Sequence, residues 1–164
     1  MKFRDFLEQS VNDMSRDEVL NHAIQFIANG EVEKPTLMAR SCINVGIRYA
    51  ENRDSTNAAD IFIKAIGIYE ALSNPEGISD GYTLLFSTYI ERAEDEECTD
   101  EIIRDAKRVF EKAITMAFNA DADTSKKQAI LDLLSSFQEV CPDHKLISGA
   151  ELDAYIEAVH RRVD

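Results

Sequence analysis

Tryptophan is absent from this chain of 164 residues, and the helix-breaking residues are rare, with six glycines and three prolines. Runs that alternate β-branched and polar residues are also missing. A sequence poor in breakers and rich in alanine, leucine, glutamate and lysine favours long α-helices over sheets. No apolar run approaches the roughly 18 residues of a membrane-spanning helix, and no secretory leader pattern opens the sequence. We therefore expect a cytoplasmic protein.

Motifs that carry catalysis or hold cofactors are lacking as well. The glycines are scattered singly, so no phosphate-binding loop is present, and no Gly-x-Ser-x-Gly turn or Cys–His pair indicates a nucleophile. His22, His144 and His160 lie too far apart in the sequence for a zinc site. The segment 121–132 matches several positions of a calcium loop, but Lys126 stands where that loop requires glycine. We therefore expect a protein that is not an enzyme and that binds no cofactor and no metal.

Positive charge is in short supply. Lysine and arginine number 18 against 31 aspartates and glutamates, which gives a net charge of -13. A surface this negative repels phosphate backbones and anionic lipid heads, so nucleic acid and membranes are poor partners. A basic protein or peptide suits it better, although acidity can also serve solubility alone. The densest acidic stretch, residues 91–101, is either an electrostatic patch or a solvated loop.

The three cysteines are Cys42, Cys98 and Cys141. Because their number is odd and their spacing is wide, we expect no disulfide framework. Cys42 lies within an apolar helical pattern, which predicts a buried side chain that packs as a small hydrophobic group.

Apolar spacing, caps and breaks together predict about eight helices joined by short connections. The first is expected over residues 2–12. Pro35 is expected to precede a helix over residues 36–52. Asn74-Pro75-Glu76-Gly77 predicts a turn, followed by a helix over residues 78–93. Three side chains are placed to cap the helices that follow them: Ser15, Thr99 and Ser148.

A spacing of small and aromatic residues recurs along the chain. The first copy places Cys42, Val45, Gly46 and Tyr49 in one helix, then Ala58, Phe62 and Ala65 in the next. The second copy keeps the same intervals within each helix, with Tyr82, Leu85, Phe86 and Tyr89, then Ala106, Phe110 and Ala113, but has about eight extra residues between Tyr89 and Ala106. Small residues let paired helices approach closely, and aromatic residues fill the space where pairs stack. This spacing resembles the tetratricopeptide repeat (TPR).

The resemblance implies an all-α fold, a right-handed α-α superhelix (a TPR-like solenoid) of about four helical hairpins. A single domain would span residues 1–164. The best repeat units are expected at about residues 36–73 and 78–118, with degenerate capping pairs at 1–30 and 124–163. The acidic stretch would be an insertion between the two helices of the second unit.

The resemblance also implies a concave face formed by the first helix of each unit. The residues that it assigns to this face are Arg40, Ile43, Asn44, Ile47 and Glu51, then Thr83, Leu84, Ser87 and Glu91, then Leu131, Asp132, Ser135 and Gln138. Such a mixture of apolar and polar side chains fits an extended peptide or an amphipathic helix. We expect an interaction module or adaptor that binds a peptide or helix of a partner protein on this face, and the net negative charge favours a basic one. The alternative is a structural repeat protein that self-assembles into homo-oligomers.

Overall fold

The computed structural model of the chain describes residues 3–161, with side chains from residue 6 onward. Within these residues the fold is all-α, as predicted, with eight helices and no strand. Lys2, where the first helix was expected to begin, and residues 162–163 of the C-terminal pair lie outside them. In chain order the helices are α1 (Phe3–Asp13), α2 (Arg16–Ala28), α3 (Glu33–Glu51), α4 (Ser55–Ala71), α5 (Pro75–Asp95), α6 (Asp100–Asn119), α7 (Thr124–Val140) and α8 (Gly149–His160).

The three predicted caps are confirmed. The hydroxyl of Ser15 accepts a hydrogen bond from the backbone N–H of Glu18 at 3.2 Å. Thr99 and Ser148 do the same for α6 and α8, at 3.2 Å and 3.1 Å. Each bond satisfies one of the N–H groups that a helix start leaves without a partner. These side chains therefore fix where α2, α6 and α8 begin.

Two helix starts differ from the prediction. α3 begins at Glu33, so Pro35 lies inside its first turn, where a missing N–H costs nothing. Its N-cap, Val32, makes no side-chain hydrogen bond, and the sequence carries no capping signal there. The predicted turn at residues 74–77 is wrong. It is the start of α5, because Asn74 caps the N–H of Gly77 at 3.0 Å and Pro75 is the first helical residue.

Helix packing follows the chain closely. α3 packs on α4, α5 packs on α6, and α4 also packs on α5. Helices two apart meet as well, α1 against α3, α2 against α4 and α5 against α7. α7 further contacts α6 and α8. Every helix is thus held by at least one neighbour that lies close to it in sequence.

Two hydrophobic clusters form the core, and α4 contributes to both. Ile61, Ala65 and Ile68 face the N-terminal cluster, which includes Cys42. Phe62 and Ile66 face the C-terminal cluster. In that cluster an aromatic series joins the last four helices, with ring centroids 5.8 to 6.0 Å apart in successive pairs of Phe137, Phe86, Phe110 and Tyr155.

Gly46 lies at a point of close contact between α3 and α4, as predicted. A Cβ atom added there would lie 2.7 Å from Ile61 Cγ2 and would also overlap the ring of Phe62. The small residues Ala58 and Ala65 on the facing helix are fully buried. Only glycine lets the two helix backbones come this close at position 46.

Cys98 and Cys141 form a disulfide, with Cα atoms 5.9 Å apart, so the prediction of no disulfide is wrong. Cys98 lies just before α6 and Cys141 just after α7, and the packing of α7 on α5 and α6 brings the two residues together. The wide spacing of the cysteines in sequence carried no hint of this pairing. The buried position of Cys42, which stays unpaired, is confirmed.

Candidate functional site

A groove between α3 and α5 gathers residues that the sequence assigned to the concave face. It has a volume of about 280 Å³. Five predicted residues from two separate helices line it: Ile47, Glu51, Leu84, Ser87 and Glu91. Ala50, Phe62 and Thr88 complete the lining. We refer to these eight residues as the α3–α5 groove.

The α3–α5 groove combines an apolar lining with two carboxylates. Ile47, Phe62 and Leu84 supply apolar surface, while Glu51 and Glu91 supply the charge. The hydroxyl of Ser87 donates to the carbonyl of Thr83 at 3.3 Å, and that of Thr88 donates to Leu84 at 3.1 Å. Because these hydroxyl protons are already used within α5, the groove presents acceptors far more than donors.

Glu91 is the most enclosed charged group of the groove, with only 13% of its side chain exposed. Its Oε1 atom is buried and accepts no hydrogen bond from any described residue. The nearest cation is Arg53, whose Nε lies 3.5 Å away. A buried acceptor of this kind is costly to leave without a donor. The ion pair with Arg53 offsets part of that cost, and the Glu91 carboxylate gives the groove a negative charge that favours a cationic ligand.

Arg53 ties the end of α3 to the last turns of α5. Its guanidinium donates to Asp95 at 2.6 Å and lies 3.8 Å from Glu94. The hydrogen bond to Asp95, followed by the charge of Asp95 itself, raises the pKa of Arg53. Arg53 thereby counters part of the negative charge at the end of α5.

The acidic stretch 91–101 is only partly a loop. Residues 91–95 belong to α5 and residues 100–101 begin α6, which leaves a connection of residues 96–99. Glu96 lies 3.9 Å from Arg92, in the preceding turn. The stretch is thus mostly helical, and several of its carboxylates are balanced by neighbouring arginines.

A second cavity, of about 220 Å³, continues the α3–α5 groove towards α1. Asn44, Ile47 and Glu51 line it together with Glu8 and Arg48. Arg48 donates a hydrogen bond to the Glu8 carboxylate, so this end of the surface is closed by an ion pair between α1 and α3. The shared residues Ile47 and Glu51 make the two cavities one continuous surface.

The remaining predicted residues lie elsewhere. Arg40, Ile43 and Thr83 line neither cavity, although Thr83 lies one turn before Ser87 in α5. The third unit does not contribute, since none of its four predicted residues lines the groove. Leu131 is buried in the core at 3% exposure, Asp132 accepts from Gln128 at 2.9 Å, Ser135 is exposed, and Gln138 donates to the carbonyl of His144 at 3.0 Å.

Sequence reasoning missed a further cavity, lined by residues of α2, α4, α5 and α6. It includes Arg16 and Arg108, which lie 92 positions apart in the chain. No repeat pattern or local motif connects them, because only the packing of four helices brings them to one place.

Comparison with known proteins gives no relative. No family model matches the chain, and no curated protein or solved structure shows significant similarity to it. None of the described helices is both long enough and apolar enough to cross a membrane. Within residues 3–161, no group of three or more histidine, cysteine or acidic side chains is arranged to hold a metal ion.

Proposed function

We propose that this protein is a TPR-like interaction module, which binds a basic peptide or helix of a partner protein in the α3–α5 groove. One observation carries the proposal: residues that the repeat spacing assigned to a common face, on two separate helices, line one groove. The close contact at Gly46 and the packing of α3 on α4 and of α5 on α6 support the repeat architecture.

The chemistry of the groove favours a lysine or arginine side chain of the partner. The aliphatic part of such a side chain packs on apolar surface while its charged end reaches polar groups. Ile47 and Leu84 offer that surface, and the carboxylates of Glu51 and Glu91 receive the charged end. The net charge of -13 adds long-range attraction for a basic segment.

A peptide titration tests the proposal. The probe is a fluorescent amphipathic helical peptide of about 15 residues with lysines four positions apart, compared with a peptide in which glutamine replaces each lysine. We expect the lysine peptide to bind more tightly. The double variant Glu51→Gln/Glu91→Gln keeps the side-chain shapes and should weaken its binding about tenfold, or roughly 1.4 kcal/mol.

The matched control is Glu97→Gln. Glu97 is exposed and lies outside the groove, and its replacement by glutamine removes one negative charge, as each groove substitution does. If loss of Glu97 weakens binding as much per charge as loss of Glu51 and Glu91, the attraction is that of the whole acidic surface and the groove is not the site. Helicity and thermal stability of each variant, measured by circular dichroism, show that folding is intact.

Self-association is the second candidate function, and two exposed side chains favour it. Phe6 on α1 is 59% exposed and Ile24 on α2 is 54% exposed, which is high for large apolar residues. A second copy of the chain could cover them. Sedimentation velocity of the wild type should then show a larger species at high protein concentration. The double variant Phe6→Ser/Ile24→Ser should lack that species. A wild-type protein that stays monomeric throughout would refute this candidate.

A further inference from the structure

The cavity that contains Arg16 and Arg108 has a charge opposite to that of the protein. It has a volume of about 240 Å³ and shares no lining residue with the α3–α5 groove. Four of its lining residues are titratable, Arg16, Arg108, Glu70 and Tyr82. With tyrosine neutral, they sum to one net positive charge, in a chain whose net charge is -13. We call it the arginine cavity.

Neither arginine is held by a carboxylate. Among the described residues, Arg16 and Arg108 make no ion pair or hydrogen bond, although Glu70 lines the same cavity. The Glu70 carboxylate instead accepts from the Tyr82 hydroxyl at 3.4 Å. Both side chains are exposed, so their guanidinium groups are free to bind an anion that enters the cavity.

Helix stability does not explain the position of Arg16. It is the first residue of α2, where the helix dipole is positive and a cation is unfavourable. The acidic residues of that first turn, Asp17 and Glu18, do not line the cavity. The charge that Arg16 brings to the cavity is therefore not one that stabilises α2.

Both guanidiniums act on the same hydroxyl. Burial raises the pKa of Tyr82, the charge of Glu70 raises it further, and the charges of Arg108 and Arg16 oppose the increase. Arg108 of α6 and Arg16 of α2 thus lie within electrostatic reach of one point in the cavity. Guanidinium groups are the preferred partners of carboxylate and phosphate, which they can bind through two N–H groups at once.

The rest of the lining defines the body of the ligand. Ile63, Ile66 and Leu85 are apolar, and Ile66 and Leu85 are buried. The volume lies below the range of about 300–1,000 Å³ that drug-sized ligands occupy, so a single ring or a short aliphatic chain is the largest group that fits comfortably.

We propose that the arginine cavity is a binding site for a small organic oxyanion, a carboxylate or phosphate on a compact apolar body, with Arg16 and Arg108 binding the anion. Tyr82 lies beside the anion position. The apolar part contacts Ile66 and Leu85, and Glu70 limits the affinity by repulsion. The site is independent of the α3–α5 groove and of peptide binding.

NMR titration of the whole protein with four probes tests the proposal at low ionic strength. Phenyl phosphate and benzoate should shift the signals of Tyr82 and of the arginine side chains, with a Kd on the order of 1 mM for ligands of this size. Inorganic phosphate, which lacks the apolar body, should bind at least severalfold more weakly. Benzylamine, which resembles benzoate with the opposite charge, should not bind.

Variants identify the residues that carry the binding. Arg16→Gln/Arg108→Gln should weaken phenyl phosphate binding at least tenfold, while Arg104→Gln, on the same helix as Arg108 but outside the cavity, should leave it unchanged. Glu70→Gln should strengthen it severalfold because the repulsion is removed. If the cavity does not bind oxyanions, no probe shifts these signals in the wild type or in Glu70→Gln. That result, or equal binding by Arg16→Gln/Arg108→Gln and wild type, would overturn the proposal.

Discussion

At the scale of single residues, glycine at position 46 decides how closely α3 and α4 approach. Gly46→Ala places a methyl group against Ile61 and the Phe62 ring. Overpacking of this kind costs about 1–3 kcal/mol. Urea denaturation should show that loss in the free energy of unfolding.

The control for this change is Gly149→Ala. Gly149 is the first residue of α8, and a Cβ atom there would meet no atom within 4 Å. Alanine is the better helix former, so this variant should be unchanged or up to about 1 kcal/mol more stable. If Gly46→Ala were equally harmless, the two helices would have room to move apart.

Cys42 provides a second prediction at this scale. Burial raises the pKa of its thiol to about 12, so almost no thiolate exists at pH 8. A thiol reagent should modify no cysteine of the folded, oxidised protein. After unfolding it should find one thiol, and three after reduction, because Cys98 and Cys141 are joined. Three thiols without reduction would mean that the disulfide is absent.

At the scale of elements, the cap of α7 should make stability depend on pH. The carboxylate of Asp123 accepts from the N–H of Lys126 at 2.9 Å and from the Ser125 hydroxyl at 2.8 Å, and these bonds lower its pKa. A lowered folded pKa stabilises the protein above the unfolded value of about 3.9, and the stabilisation is lost as pH falls through the folded value.

Thermal unfolding between pH 2 and pH 6 measures this effect. The wild type should be more stable than Asp123→Asn above about pH 5, and the difference should shrink as the pH falls below about 4. Asp121→Asn is the control, since Asp121 lies outside the cap of α7. A constant difference between wild type and Asp123→Asn would show that the charge of Asp123 has no part in the cap.

The sequence predicts the start of a helix well where a capping residue next to that start determines it. The caps Ser15, Thr99 and Ser148 are hydrogen bonds between neighbours in the chain, so their side chains indicate them. α3 begins without a side-chain cap, and Pro35, the one residue that marked its start, lies inside the first turn rather than before it. The α3–α5 groove could be anticipated in part, because repeat spacing fixes which side chains share a face. The arginine cavity could not, since four helices must be packed first.

At the scale of the whole molecule, the disulfide joins the two ends of the α6–α7 segment. The cysteines are separated by 43 positions. A loop of that length gives about 4 kcal/mol of stabilisation in the chain-entropy model, and disulfides typically contribute about 2–4 kcal/mol. The variant Cys98→Ser/Cys141→Ser should lose that amount in guanidinium denaturation. A reductant should destabilise the wild type and leave this variant unaffected.

The same bond bears on where the protein works. The expected cytoplasmic location stays a prediction, and disulfides persist mainly in oxidising compartments. The number of thiols in protein taken directly from its host, alkylated during lysis in a denaturant so that buried Cys42 also reacts, measures whether Cys98 and Cys141 are joined there. One alkylated thiol would indicate an oxidising environment, and three a reducing one.

Mechanical load would reveal this crosslink in another way. When the chain is pulled from its two ends, force passes through the bond between Cys98 and Cys141 and bypasses the segment between them. At about 3.4 Å per residue, the bypassed segment corresponds to roughly 150 Å of contour length. An oxidised molecule in an optical trap should therefore extend by roughly 150 Å less than a reduced one. In the oxidised molecule, the turn between α6 and α7 should bear no tension, even when the helices outside the bypassed segment have been unfolded by the force.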